Sequence, residues 1–85
     1  MSFDLQSDTA KKALDVVSEI SGRPAGELEP NQQLVGDLGI DSPKALQLLL
    51  RLEEVFDIEI SDEEAALMDS IADILKYLKV GPAPA

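Results

Sequence analysis

The sequence predicts a small all-α domain, a four-helix bundle with three longer helices and a short third helix. Apolar residues recur at intervals of three or four in its long segments, as in amphipathic helices. Pro and Gly break the chain between the first two helices, which indicates a long loop there. The length of 85 residues fits one domain with one modest core.

The first helix is predicted around one apolar stripe. The stripe consists of Ala10, Ala13, Leu14, Val17 and Ile20. Gly22 followed by Pro24 is a C-terminal stop signal, because glycine tolerates the left-handed conformation and proline cannot continue a helix. A helix that ends at about residue 21 is therefore expected.

Residues 23–41, "RPAGELEPNQQLVGDLGID", are predicted to form a long loop. Two prolines and three glycines are too many breakers for a long helix. Four aliphatic side chains are expected to pin the loop to the core: Leu28, Leu34, Leu38 and Ile40. Loops of this length in compact domains are often functional.

The second helix is predicted to open at Ser42, with Ser42 as N-cap and Pro43 in the first turn. It should end near Phe56 or Asp57. Its core stripe is Leu48, Leu49, Leu52 and Phe56, and Leu46 with Leu50 widens the apolar surface sideways. Such a wide stripe can contact more than the core.

Two shorter helices follow a brief extended piece, "DIEI", which is too short to make a sheet. The tetrad 61–64, "SDEE", is typical of a capping box and predicts a third helix through Met68. A final helix is expected from Ser70. The domain should span residues 1–80 and leave 81–85 as a flexible tail. The long first connection suggests that helices one and two run in similar directions.

The charge is strongly acidic, with 17 Asp and Glu against 7 Lys and Arg and a formal net charge of -10. This charge repels nucleic acid and anionic lipid, and it favours protein partners with basic surfaces. The acids concentrate in residues 53–64, "EEVFDIEISDEE", which contain no Lys or Arg. No apolar run approaches a membrane span and no secretory signal is recognisable, so a cytoplasmic protein is expected.

An enzyme is not expected, because the chain has neither histidine nor cysteine. No residue is assigned to catalysis or to metal binding. Asp57, Glu59, Ser61 and Glu63 alternate along the chain like the first ligands of an EF-hand calcium loop. An EF-hand loop has glycine at its sixth position and glutamate at its twelfth, whereas this chain has Asp62 and Met68 there. The segment is therefore not expected to be an EF-hand.

Ser42 has two compatible interpretations. A serine before a helix is usually a cap. A group attached at that position would also be exposed, and a phosphate there would meet backbone N–H groups and the positive end of the helix dipole.

The segments "DLGIDS" and "LEEVFDIEISDEEA" resemble those of the acyl carrier proteins, and the resemblance covers nearly the whole chain. It implies that Ser42 carries 4′-phosphopantetheine, installed from coenzyme A by a phosphopantetheinyl transferase that Asp41 helps to recognise. The cofactor's thiol would hold acyl groups as thioesters, which explains the missing cysteine. The acyl chain would fold between helices two and three, at positions that are otherwise core: Leu48, Leu52, Ile60, Ala65 and Met68.

Departures from the family pattern lie directly after Ser42. Pro43 replaces a leucine, Lys44 and Gln47 stand where the family often has acids, and Arg51 adds positive charge. These changes favour a specialised, monomeric carrier with its own synthase or acyltransferase partners over the main fatty-acid carrier. The alternatives are an aminoacyl or peptidyl carrier, an unmodified carrier-like interaction module and, more remotely, a calcium-binding regulator.

Overall fold

The computed structural model describes residues 3–81 and is helical. This part contains four α-helices: α1 Asp8–Ser21, α2 Ser42–Phe56, α3 Asp62–Ala66 and α4 Ile71–Tyr77. It contains no β-strand, and the predicted all-α class is confirmed. No helix within residues 3–81 is long and apolar enough to cross a membrane. Apart from Gly81, the predicted tail lies outside the described residues.

Helix α1 is capped at its start by Ser7 and at its end by Gly22. The Ser7 side chain accepts a hydrogen bond from the Ala10 N–H at 3.2 Å and caps the start. Gly22 takes a left-handed conformation with φ of 78°, and its N–H donates to the Ser18 carbonyl at 2.9 Å. The predicted stop at Gly22 is confirmed. The buried residues of α1 are Ala10, Ala13, Leu14, Val16 and Val17, while Ile20 is half-buried.

The connection between α1 and α2 is pinned as predicted. All four of its predicted anchors are buried: Leu28, Leu34, Leu38 and Ile40. It contains a 3₁₀ turn, Ala25–Glu27. Its backbone also binds the start of α4, since the Leu34 N–H donates to the Asp69 carbonyl at 2.9 Å and the Ala72 N–H donates to the Pro30 carbonyl at 2.8 Å. These bonds hold the connection across the bundle.

Helices α1 and α2 run in opposite directions, so the predicted similar direction is wrong. Thr9, in the first turn of α1, lines the same groove as Phe56 at the end of α2. Glu19, near the C-terminal end of α1, forms an ion pair with Arg51, which lies nearer to the N-terminal end of α2 than Phe56 does. The physical reason is that the connection leaves the C-terminal end of α1 and comes back to the same end of the bundle before α2 begins. There the guanidinium of Arg23, just after α1, donates to the carbonyl of Asp37, shortly before α2, at 3.1 Å.

The two short helices, α3 and α4, each begin with a capping box. Ser61 and Glu64 form the predicted capping box of α3, and Ser70 and Asp73 form a second one at α4. Helix α3 ends at Ala66, two residues before the predicted Met68. The buried core joins α1, the connection, α2 and α4 through aliphatic side chains, and the half-buried Phe3 and Phe56 pack against it. No polar side chain is buried among residues 3–81.

Candidate functional site

Ser42 is the first residue of α2, and its predicted role as N-cap is wrong. The cap is Asp41, whose Oδ1 accepts a hydrogen bond from the Lys44 N–H at 3.1 Å. The Asp41 carbonyl accepts the first helical bond, from the Ala45 N–H at 2.7 Å. Asp is as good a cap as Ser, and its charge also interacts favourably with the helix dipole. The preceding aspartate therefore does the capping.

The Ser42 hydroxyl is available for attachment. The residue is exposed, and its hydroxyl makes no hydrogen bond to any residue between Phe3 and Gly81. Its N–H likewise has no acceptor there. Pro43 has no N–H, and that of Lys44 is bound by the cap. An attached phosphodiester would therefore meet one free N–H and the positive end of the helix dipole, so the position fits an anionic group.

The turn before α2 fixes how Asp41 and Ser42 are presented. Gly39 has φ of 66°, a left-handed conformation that favours glycine. The Asp37 Oδ2 accepts from the Gln33 N–H at 2.7 Å, and the Ile40 N–H donates to the Leu34 carbonyl at 2.9 Å. Ile40 is fully buried. The "DLG" residues thus form a hydrogen-bonded turn that leads directly into the cap.

Ser42 lies on the side of α2 that faces α3. Ser42, Leu46, Leu49 and Glu53 follow one another at spacings of four, three and four residues, which places them along one stripe of the helix. The Glu53 carboxylate accepts a hydrogen bond from the Ile60 N–H at 2.9 Å, just before α3. A group attached to Ser42 would therefore leave the protein next to the opening between α2 and α3.

A small apolar cavity of about 40 Å³ lies at that opening. It is lined by Leu34, Ala45, Leu48, Leu49, Ala65, Met68 and Ile74. Three of the five residues expected to line the acyl chain lie in its wall: Leu48, Ala65 and Met68. The other two do not line it, since Leu52 is buried in the core and Ile60 is half-buried nearer the end of α2.

The sequence interpretation missed four residues of the cavity wall. The sequence predicts Leu34 as an anchor of the loop, and Leu34 is buried. It predicts Leu49 in the core stripe, but Leu49 is half-buried, lies outside the core cluster and lines the cavity instead. Ile74 lies on the apolar stripe of the final helix, so periodicity predicts it inside but cannot indicate a cavity. Ala45 is outside the predicted stripe of α2, and no signal in the sequence marked it.

Charges beside the site are few. Arg51 binds Glu19 at 3.1 Å and Glu54 at 3.2 Å, so it links α1 to α2. The hydrogen bond and charge of Glu19, followed by those of Glu54, raise the pKa of Arg51. Lys44 forms no ion pair with the residues of 3–81. Within the same range, no three acidic side chains come together in a way that could hold a metal ion.

The fold and its matches define a carrier domain of the phosphopantetheine-attachment class. The family model described as the phosphopantetheine attachment site matches residues 11–78. An acyl carrier protein of Clostridium acetobutylicum is 38% identical over 69 residues, which are 81% of this chain and 90% of that protein.

A solved structure assigned as an acyl carrier protein of Mycobacterium tuberculosis superposes with a TM-score of 0.78. It is 32% identical, and the match covers 84% of this chain and 95% of that one. This chain belongs to the acyl carrier protein family. It functions as an acyl carrier, its cofactor is 4′-phosphopantetheine, and the family works with acyl-handling enzymes and a phosphopantetheinyl transferase.

Proposed function

We propose that the cofactor is attached to the Ser42 hydroxyl, and that the chain acts as a specialised acyl carrier without catalytic activity of its own. One observation carries the assignment. Asp41, not Ser42, caps α2, so the exposed Ser42 hydroxyl has no structural task among the described residues. Ser42 can be modified without loss of a helix cap.

The residues around Ser42 have separate tasks in this proposal. Asp41 holds the start of the helix and contributes to recognition by the transferase. The turn at Gly39 keeps Ser42 at the surface, and the free Ser42 N–H faces the attached anion. When bound, the cofactor supplies the thiol that carries the acyl group as a thioester.

The cavity between α2 and α3 is the proposed shelter for the acyl chain. All of its lining side chains are apolar, and its surface is mostly apolar, which suits an alkyl chain. At about 40 Å³ it is little larger than the roughly 30 Å³ share of one water molecule. A chain of several carbons therefore needs α3 to move away from α2. Helix α3 has only five residues and none of them is buried, so its displacement uncovers little core.

The partners are proposed to be a dedicated synthase or acyltransferase, because Lys44 and Gln47 leave the start of α2 without acids. The acidic segment 53–64 remains as a surface for basic docking regions. A monomer in the cytoplasm, able to visit several enzymes, is part of the same proposal. An aminoacyl carrier would share this site and would differ in the cargo found on the thiol.

Intact mass spectrometry tests the attachment. The protein is incubated with coenzyme A, magnesium and a broad-specificity phosphopantetheinyl transferase, beside Ser42→Ala and Ser21→Ala. We expect one added phosphopantetheine on the wild type and on Ser21→Ala, and none on Ser42→Ala. No addition to a folded wild-type protein with several transferases would refute the proposal and favour an unmodified interaction module.

A further inference from the structure

Helix α3 is attached to the rest of the protein very differently at its two ends. After the helix, the Asp69 carbonyl accepts a hydrogen bond from the Leu34 N–H at 2.9 Å. The Ile71 N–H donates to the Gln32 carbonyl at 3.1 Å. Leu34 and Ile71 are also buried in the core. The chain that follows α3 is therefore held by backbone hydrogen bonds and by core packing together.

The chain before α3 is held by two side chains from other helices. The Glu53 carboxylate of α2 accepts a hydrogen bond from the Ile60 N–H at 2.9 Å. The Tyr77 hydroxyl of α4 donates to the Glu59 carbonyl at 3.2 Å. Within residues 3–81, no other hydrogen bond joins residues 59–61 to α1, α2 or α4, and Ile60 is only half-buried. We call these two hydrogen bonds the α3 anchor.

The α3 anchor lies where the cavity between α2 and α3 stops. Leu49 is the last residue of α2 in the cavity wall. Glu53 follows it one turn later, about 6 Å further along the helix axis. No residue of 59–61 lines the cavity. The anchor therefore closes the end of the cavity that points away from Ser42.

We propose that Glu53 and Tyr77 set the length of the acyl chain that this carrier shelters, as positioning residues that act through α3. This inference rests on the proposed attachment to Ser42. A short acyl chain occupies the existing cavity and leaves the α3 anchor intact. A longer chain has to extend past Leu49, so residues 59–61 must leave α2 and α4 and both hydrogen bonds break. Breaking them costs free energy only when the chain is long, so the anchor makes the carrier favour short chains.

Cleavage of the thioester by hydroxylamine measures the shelter. The probes are butyryl-coenzyme A and decanoyl-coenzyme A, loaded on the full chain by a broad-specificity phosphopantetheinyl transferase with magnesium. The test variants are Tyr77→Phe and Glu53→Ala, each of which removes one bond of the anchor. One control is Glu54→Ala, which removes the neighbouring carboxylate that binds Arg51 instead. The other is Glu53→Gln, which keeps an oxygen to accept the Ile60 N–H.

We expect the decanoyl thioester to be cleaved about fivefold more slowly in each test variant than in the wild type, because the net contribution of one hydrogen bond corresponds to about a fivefold change in population. Cleavage of the butyryl thioester should change less than twofold. Both controls should match the wild type with both chains. In the apo-protein, the Ala65 amide, which donates to the Ser61 carbonyl at 2.9 Å, should exchange with solvent about fivefold faster in the test variants.

A merely structural role would change the two cleavage rates alike, and that result would overturn the inference. Unchanged decanoyl cleavage in both test variants would overturn it as well. Either outcome leaves the proposed function intact. Tyr77→Phe keeps the aromatic ring, so it provides a folded test variant even if Glu53→Ala does not fold. If the wild type accepts no acyl-phosphopantetheine at all, the proposed function fails and this inference fails with it.

Discussion

Replacing Asp41 by Ala should destabilise the protein, whereas replacing Ser42 by Ala should not. Asp41→Ala removes the side chain that accepts the Lys44 N–H at 3.1 Å and also removes the charge at the positive end of α2. Loss of an N-cap costs about 1 kcal/mol, and loss of the dipole interaction adds about 0.3–1 kcal/mol. A total of about 1.5 kcal/mol corresponds to a fall in Tm of roughly 6–12 °C in a domain of this size.

Urea unfolding followed by circular dichroism measures the effect, with Asp41→Asn and Ser42→Ala as matched variants. Asn is an equally good cap but carries no charge, so Asp41→Asn should lose only the dipole interaction of about 0.3–1 kcal/mol. Ser42→Ala should stay within about 0.5 kcal/mol of the wild type, because its hydroxyl has no partner among residues 3–81. If Ser42→Ala were the more destabilising change, the assignment of the cap to Asp41 would be refuted.

Two further predictions concern α3. In the acylated holo-protein, Ala65→Leu should fill the cavity, expel the acyl chain and so speed cleavage of the thioester by hydroxylamine. The control Ala66→Leu, at an exposed position, should leave the cleavage rate unchanged. Equal cleavage rates in the two variants would contradict a sheltered chain. Hydrogen bonds from the Ser61 N–H and hydroxyl lower the pKa of Glu64 from its ordinary 4.5, so this stabilisation is present above about pH 4.5 and is lost as pH falls through the lowered pKa. Glu64→Gln keeps the capping box and should lose less stability between pH 7 and pH 3, measured by urea midpoints; an equal loss would exclude Glu64 as the cause.

The helices and most of the core were predictable because they depend on local chemistry. The 3.6-residue spacing placed Leu14, Val17, Leu48 and Leu52 inside, and all four are buried. Gly22 marked the end of α1 because a left-handed cap needs a residue without a side chain, which the sequence shows directly.

The cap and the helix directions were not predictable in the same way. Asp41 and Ser42 are both strong caps, and Pro43 suits either assignment, so the choice depends on how the turn at Gly39 enters the helix. The antiparallel arrangement depends on contacts such as that of Arg23 with the Asp37 carbonyl, which no periodicity encodes. The cavity was not predictable for the same reason, because it depends on how three helices and the connection pack against one another.

The hydrogen bonds between the connection and the start of α4 also bear on when the segment before Ser42 can fold. Pro30 and Leu34 bind Ala72 and Asp69, which lie about forty residues further on, and contacts this distant in sequence form late. During synthesis, a nascent chain that already contains α1 and α2 still lacks the partners that hold the segment before Ser42. The segment before Ser42 therefore gains these hydrogen bonds only when the start of α4 has docked against it. With the proposed attachment to Ser42, we expect loading of the arm to follow the docking of α4, and we expect a product truncated before Ala72 to be a poor substrate for it.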